Sequence, residues 1–272
     1  MTSSLAFVPA AGALGALDLL RIETAGAVLH LRLNRPAKRN AVNDTLVAQL
    51  HTAFVNLPAE TRAVVLTGEG DHFCAGLDLS EISERSVAEG IVHSRTWHAA
   101  MDAIQFGRVP VVAVLHGAVV GGGLEIAASC HVRVAERSAY YGLPEGQRGI
   151  FVGGGGSARV PRLAGVACMA DMMLTGRVYN AQDGERVGFA QYLVPQGQAF
   201  DKALELARRI AGNAPLTNYA LMHALPRIAE QPADQGFLTE ALMAGIAQSA
   251  PEAKDRLRAF LDGRAGKVTV KA

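Results

Sequence analysis

Three consecutive glycines, Gly121 to Gly123, interrupt an apolar stretch, and a lone carboxylate, Glu125, follows two residues later in "HGAVVGGGLEIAASC". Glycine loses the most backbone freedom on folding, so such a run weakens helix and strand alike. A carboxylate in apolar surroundings is costly unless something stabilises it. The pattern reads as a buried strand, "PVVAVLHG", a glycine turn and a buried helix, "GGLEIAASC". A membrane span over residues 109–128 fits worse, because His116, Glu125 and four glycines lie inside it.

A strand-to-helix junction of this kind has a chemical use. The first amides of a helix lack internal partners, and the macrodipole makes that end positive. Glycine there lets an oxygen atom approach the backbone N–H. An oxyanion stabilised by amides usually needs two donors. "HFCAGLDLSE" offers the second, with small residues Ala75 and Gly76 before Leu77 and Asp78. Each segment alone also reads as a tight turn packed on a neighbour. Two carboxylates strengthen the chemical reading: Glu125 on the first helical turn, and Glu145 after a strand and a proline in "YYGLPEGQRG". Together such groups can hold one water and do acid and base work on it. Spacing alone leaves open whether they meet, and Glu145 alone reads equally as a solvated loop residue. Neither glycine run is a nucleotide motif: "GAVVGGGLE" lacks the GxGxxG spacing, and "GIFVGGGGSAR" lacks GK[ST].

Strand and helix alternate through the first half of the chain, which favours a layered α/β core, and the remainder is nearly all helical. The expected division is a loose arm over residues 1–17, a core over 18–200 and a helical region over 201–272. Net charge is +1, from 26 basic and 25 acidic residues. That balance, without a basic run, gives no footprint for nucleic acid. Three widely spaced cysteines without CxxC exclude a disulfide framework and a zinc–thiolate site, and no other metal site is expected. His93 and His98 share no helix face. Cys74 has no identifiable base partner and reads as packing. A reducing, cytoplasmic setting is expected. The start carries no Lys or Arg before Arg21, so it does not read as a secretory signal.

The segments "LNRPAKRNAVND", "HFCAGLDL", "VLHGAVVGGGLEIAASC", "LPEGQRGIFVGGGGSARVPRLAG" and "LTGRVYNAQDGERVGFAQYLV" occur in order. Together they resemble the crotonase, or enoyl-CoA hydratase/isomerase, superfamily over about residues 19 to 262. The resemblance implies a spiral of ββα repeats with a helical C-terminal region that serves trimerisation and covers the site. It implies a homotrimer or homohexamer, an acyl-CoA thioester substrate, and no cofactor beyond the CoA of the substrate. It implies no nucleic-acid or membrane partner.

Carried over residue by residue, the resemblance makes the N–H groups of Leu77 and Gly122 the oxyanion hole, and Glu125 and Glu145 the catalytic pair. CoA and substrate recognition falls on Lys38, Arg39, Ala41, Ala75, Gly76, Asp78, Leu79 and Gly121. Lys267 is a further candidate for a phosphate contact. Lys38 and Arg39 read equally as solvated turn cations. Trp97, Met101, Tyr141 and Phe151 are candidates for the acyl pocket or for the core. The chain departs from the common pattern at Cys130-His131, Asp183-Gly184 and Asp255-Arg256, and its "GQRGIFVGGGG" is richer in glycine. These departures leave the acyl group open. The implied reaction is syn addition of water to a 2-trans-enoyl-CoA, giving a 3-hydroxyacyl-CoA. The alternatives are isomerisation, hydration with lyase cleavage, thioester hydrolysis, and non-catalytic acyl-CoA binding.

Overall fold

Two rows of side chains alternate along the central strands, and both rows are buried. The computed structural model describes residues 6–81 and 84–264. In chain order its first unit contains β1 (Val8–Pro9), α1 (Gly12–Gly15), β2 (Leu20–Ala25), β3 (Val28–Leu33), α2 (Asp44–Val55) and β4 (Ala63–Gly68). Next come α3 (Val87–Gln105), β5 (Val111–Leu115), β6 (Ala118–Val120), α4 (Gly122–Ser129), β7 (Val132–Glu136) and β8 (Tyr140–Gly142). The unit closes with α5 (Gly156–Ala164), α6 (Val166–Thr175), β9 (Tyr179–Asn180), α7 (Ala181–Val187), β10 (Tyr192–Val194) and α8 (Ala199–Ala211).

The larger sheet has the order β1-β2-β3-β4-β5-β7-β10, parallel from β3 onward. Val64, Leu66, Val111, Ala113 and Leu115 face the main core with α2, α3 and α4. Their alternates Ala63, Val65, Val112 and Val114 face a second core closed by Ala203, Leu206 and Ala207 of α8. Burial on both faces explains why these strands read as unbroken apolar runs. A smaller sheet, β6-β8-β9, runs alongside. Successive turns of chain place one strand in each sheet, as β5 with β6 and β7 with β8 do, which is the expected ββα spiral. The first of those two turns is closed by α4.

Local signals fix the helix starts. Asn43 caps α2 by accepting the Leu46 N–H at 2.9 Å. Ser86 and Glu89 form a capping box that opens α3 at Val87. Arg133 donates to the Cys130 carbonyl at the end of α4, where a cation suits the helix dipole.

Two expectations need correction. The arm expected to hang loose is docked in its described part: β1 pairs antiparallel with β2, and Leu14 is buried. The boundary expected at 200/201 falls inside α8, because that helix closes the second face of the larger sheet; the first unit extends to Ala211. The second unit, from Gly212, is helical: α9 (Pro215–Tyr219), a wide helical turn over Ala220–Ala224, α10 (Leu225–Ile228), α11 (Ala233–Ser249) and α12 (Pro251–Leu261). Among the described residues no helix is long and apolar enough to cross a membrane.

Candidate active site

A short parallel bridge between Cys74 and Val119 draws the loop after β4 against the smaller sheet. The Cys74 N–H donates to the Ala118 carbonyl at 2.9 Å, and the Val120 N–H to the Cys74 carbonyl at 3.1 Å. Both strands then turn sharply, at Gly76 (φ 94°) and Gly121 (φ 53°). Side chains other than glycine rarely adopt that backbone. A β-carbon on Gly76 would stand 3.5 Å from the Gly122 nitrogen, and one on Gly122 would stand 3.8 Å from the Leu77 nitrogen. The two amides therefore lie side by side. Among the described residues neither N–H donates to another group. Gly122 opens α4, so the positive helix end adds to the local field.

Glu125 lies one turn into α4 and is only 4 % exposed. Its Oε1 accepts N–H groups from Gly154 at 2.8 Å and Gly156 at 2.7 Å. A β-carbon on Gly154 would stand 2.9 Å from Trp97 Cε3, and one on Gly156 would stand 2.8 Å from Glu125 Oε1. The glycine run thus wraps the carboxylate with bare backbone. Burial drives the Glu125 carboxyl up to about 7; the bonds from Gly156 and Gly154 oppose this, Glu145 adds to it, and Arg159 opposes it. Arg159 is itself buried. It donates to the Gly154 carbonyl at 3.1 Å, to Asp102 at 2.6 Å and to Gln105 at 2.6 Å, fixing the loop to α3.

Glu145 follows β8 and precedes a 3-10 turn over Gly146–Arg148. Its carbonyl accepts N–H groups from Arg148 and Ile150, both at 3.0 Å. The side chain is buried rather than solvated, and among the described residues its Oε2 has no hydrogen-bond partner. Burial raises its carboxyl above the ordinary range, with Arg148 among the groups opposing that shift. An unpartnered buried carboxyl oxygen is an acceptor, or when protonated a donor, awaiting a polar group.

Leu77, Gly122, Glu125 and Glu145 line one cavity of about 450 Å³. Trp97, Ile150, Phe151 and Val152 supply apolar wall, while Arg85 and His93 line it from the start of α3 and its approach. Asp44 holds His93 at 2.8 Å and Arg85 at 3.5 Å. A more open cavity of about 640 Å³, between His72, His116 and Phe200, contains none of the four.

The expected CoA residues are laced to one another. The Val42 N–H donates to the Gly76 carbonyl, the Asp78 N–H to Val42, and the Ala75 N–H to Arg39. Asp78 is buried, with Arg35 at 2.9 Å, Lys38 at 3.8 Å and the Ser80 hydroxyl at 2.6 Å. Its carboxyl lies below the usual range, chiefly through the Ser80 hydroxyl. Asp78 thus ties two segments together. Lys38, Arg39 and Leu79 are exposed, Ala41 is buried and Ala75 half-buried. The Gly121 N–H is engaged by the Gly142 carbonyl at 2.9 Å. Lys267 lies outside the described residues.

Of the four pocket candidates, Trp97 and Phe151 line the cavity, whereas Met101 and Tyr141 are fully buried in the main core. Cys74 is fully buried and its thiol is pushed up to about 12 by burial, as packing requires. His98 contacts Ser94 and Arg95 at 3.4 Å. The reading of the sequence missed the amide cradle of Gly154 and Gly156 and its anchor Arg159. Its one available signal was the glycine run immediately before an amphipathic helix.

The family model for enoyl-CoA hydratase/isomerase matches residues 23–268. Enoyl-CoA hydratase EchA19 of Mycobacterium tuberculosis is 31% identical over 249 residues, covering 90% of this chain and 94% of that protein. The 2,3-dehydroadipyl-CoA hydratase of Escherichia coli is 33% identical over 239 residues, covering 87% and 93%. A crystal structure from Rhodopseudomonas palustris, of a protein provisionally named an enoyl-CoA hydratase, is 60% identical with a TM-score of 0.89. The match covers 93% of this chain and 98% of that one.

Proposed function

The chain belongs to the enoyl-CoA hydratase/isomerase family, and from that premise we propose that it adds water across the double bond of a 2-trans-enoyl-CoA to give a 3-hydroxyacyl-CoA. The observation that carries this reading is the sharing of one cavity by two carboxylates and two undonated amides.

In this mechanism the thioester oxygen accepts from the N–H groups of Leu77 and Gly122 as enolate charge builds on it. Losing one such donor typically raises a barrier by roughly 3–4 kcal/mol. Glu125 takes a proton from water as the oxygen attacks Cβ, and Glu145 delivers a proton to Cα. The cycle needs one carboxylate and one carboxylic acid. Two buried carboxyls in electrostatic contact favour that singly protonated state, because each resists ionisation of the other. Both bonds from the glycine loop fall on Oε1 of Glu125, which leaves Oε2 for the water. The reaction balances without a redox or metal cofactor. The proposal includes a homotrimer or homohexamer in the cytoplasm.

The test is mass spectrometry of short-chain, long-chain and aryl enoyl-CoA thioesters incubated with the protein. A gain of one water by the wild type, lowered by about two to four decades in Glu145→Gln, supports hydration. An unchanged mass with a displaced double bond makes the protein an isomerase.

A further inference from the structure

The hydroxyl of Ser94, on α3, donates to the Gly153 carbonyl at 2.6 Å. That carbonyl belongs to the same peptide group as the Gly154 N–H, which donates to Glu125 Oε1 at 2.8 Å. The order is therefore Ser94 hydroxyl, peptide 153–154, Glu125 carboxylate. Hydrogen bonds in such a chain polarise one another: a donor on the carbonyl makes the opposite N–H a stronger donor. The bond also pins the loop. Gly153, Gly154 and Gly156 have no side chains, so nothing of their own anchors them. Arg159 holds the next carbonyl, that of Gly154. Ser94 and Arg159 thus grip adjacent peptides of one loop, and the loop's amides grip Glu125.

We propose that Ser94 is a positioning residue for Glu125: through the peptide between Gly153 and Gly154 it sets the strength and direction of the N–H that holds the carboxylate. Ser94 reaches the reacting water only through that loop. For its kinetic readout alone, the inference rests on the hydration reading. Glu145, Arg85 and His93 line the same cavity as Glu125, and Arg159 approaches it from α5. Behind the loop stand Asp102 on Arg159 and His98, whose Nε2 is 3.4 Å from the Ser94 hydroxyl. Substitution at Ser94 leaves Glu145, Arg159 and Asp102 in place and removes one contact of His98, whose imidazole also reaches the Gly153 carbonyl.

The experiment follows the carboxyl stretch of Glu125 by infrared difference spectroscopy against pH, with Glu125→Gln assigning the band. It compares wild type, Ser94→Ala and Ser94→Thr, and measures kcat and KM in parallel. Alanine is a good helix former, so the fold tolerates it on α3. In Ser94→Ala the carboxylate loses support, so its titration midpoint rises by about half to one unit. Turnover falls about five-fold at neutral pH with KM within about two-fold, and the acid limb of the kcat profile moves up with the midpoint. Threonine, which keeps the hydroxyl, restores both. An unchanged midpoint in Ser94→Ala overturns the inference whatever turnover does, and so does a shift that threonine fails to restore. If the wild type hydrates nothing while the midpoint shifts and is restored, the proposed reaction falls and the role of Ser94 stands.

Discussion

A β-carbon on Gly121 would stand 2.7 Å from Oε1 of Glu145, so that carboxylate rests directly on bare backbone. Gly121 also has φ 53°, which disfavours any side chain. Gly121→Ala must therefore bend the turn or push Glu145 aside. The expected outcome is a fall in kcat of about a hundred-fold, because a displacement near 1 Å can cost that much. Backbone strain adds about 1–3 kcal/mol of lost stability. Steady-state kinetics beside a thermal melt check this; turnover within a factor of two of wild type would show that Glu145 does not depend on this contact.

The Glu125 carboxyl is raised from 4.5 to about 7, mainly by burial. As pH rises through that window the unfolded chain releases this proton while the folded chain keeps it. Stability therefore falls with rising pH up to about 7 and levels off above it. Glutamine cannot ionise and still offers an oxygen to the two amides. Glu125→Gln is expected to gain about 2–3 kcal/mol over wild type between about pH 4 and pH 8. Urea unfolding at several pH values measures it, and a difference that does not vary with pH would contradict the assignment.

Phe151 lines the cavity yet is 68% exposed. Its removal leaves little void in the core, so Phe151→Ala is expected to melt within about 2 °C of wild type. An acyl chain crossing that wall loses apolar contact worth about 1 kcal/mol. The variant should raise KM for long acyl groups about five-fold and leave the shortest unaffected. An equal change for all chain lengths would remove Phe151 from the acyl path.

Asn40 is fully buried at φ 54°, where asparagine is among the few tolerated residues. Its side chain accepts the Arg35 N–H at 2.9 Å and donates to the carbonyls of Glu69 at 2.9 Å and His72 at 2.7 Å. Asn40→Ala leaves buried groups unpaired and a β-carbon in a strained turn. The expected loss is about 3 kcal/mol by chemical denaturation; a loss under about 1 kcal/mol would mean that water replaces the amide.

The legibility of these features in the sequence followed their range. "VVAVL" and "AVVL" could be read as buried strands because an apolar run bounded by turn residues has few other uses. The junction at Gly121–Gly123 was legible for the same local reason. Glu145 was ambiguous: Pro144 and Gly146 look like an exposed loop, and the backbone its carboxylate meets, at Gly121, is remote in sequence. The cradle around Glu125 was invisible, since a glycine run announces free amides without naming the oxygen they meet. Asp78 was expected along the CoA path, whereas its pairing with Arg35 depends on the fold. The arm was misjudged because β1 is two residues long, too short for alternation to register.

The contacts of Gly121, Gly122, Gly154 and Gly156 divide the site by mutational tolerance. At those positions any side chain collides with Glu145, Trp97 or Glu125, so sequence drift there is closed. Phe151, Ile150, Arg85 and His93 line the same space but sit on its solvent side or at partly exposed positions, where replacement is open. Changes in what enters the cleft are therefore expected to fall on the second set, with the glycines kept. A library aimed at altered acyl preference should randomise those four codons and leave the glycine codons fixed.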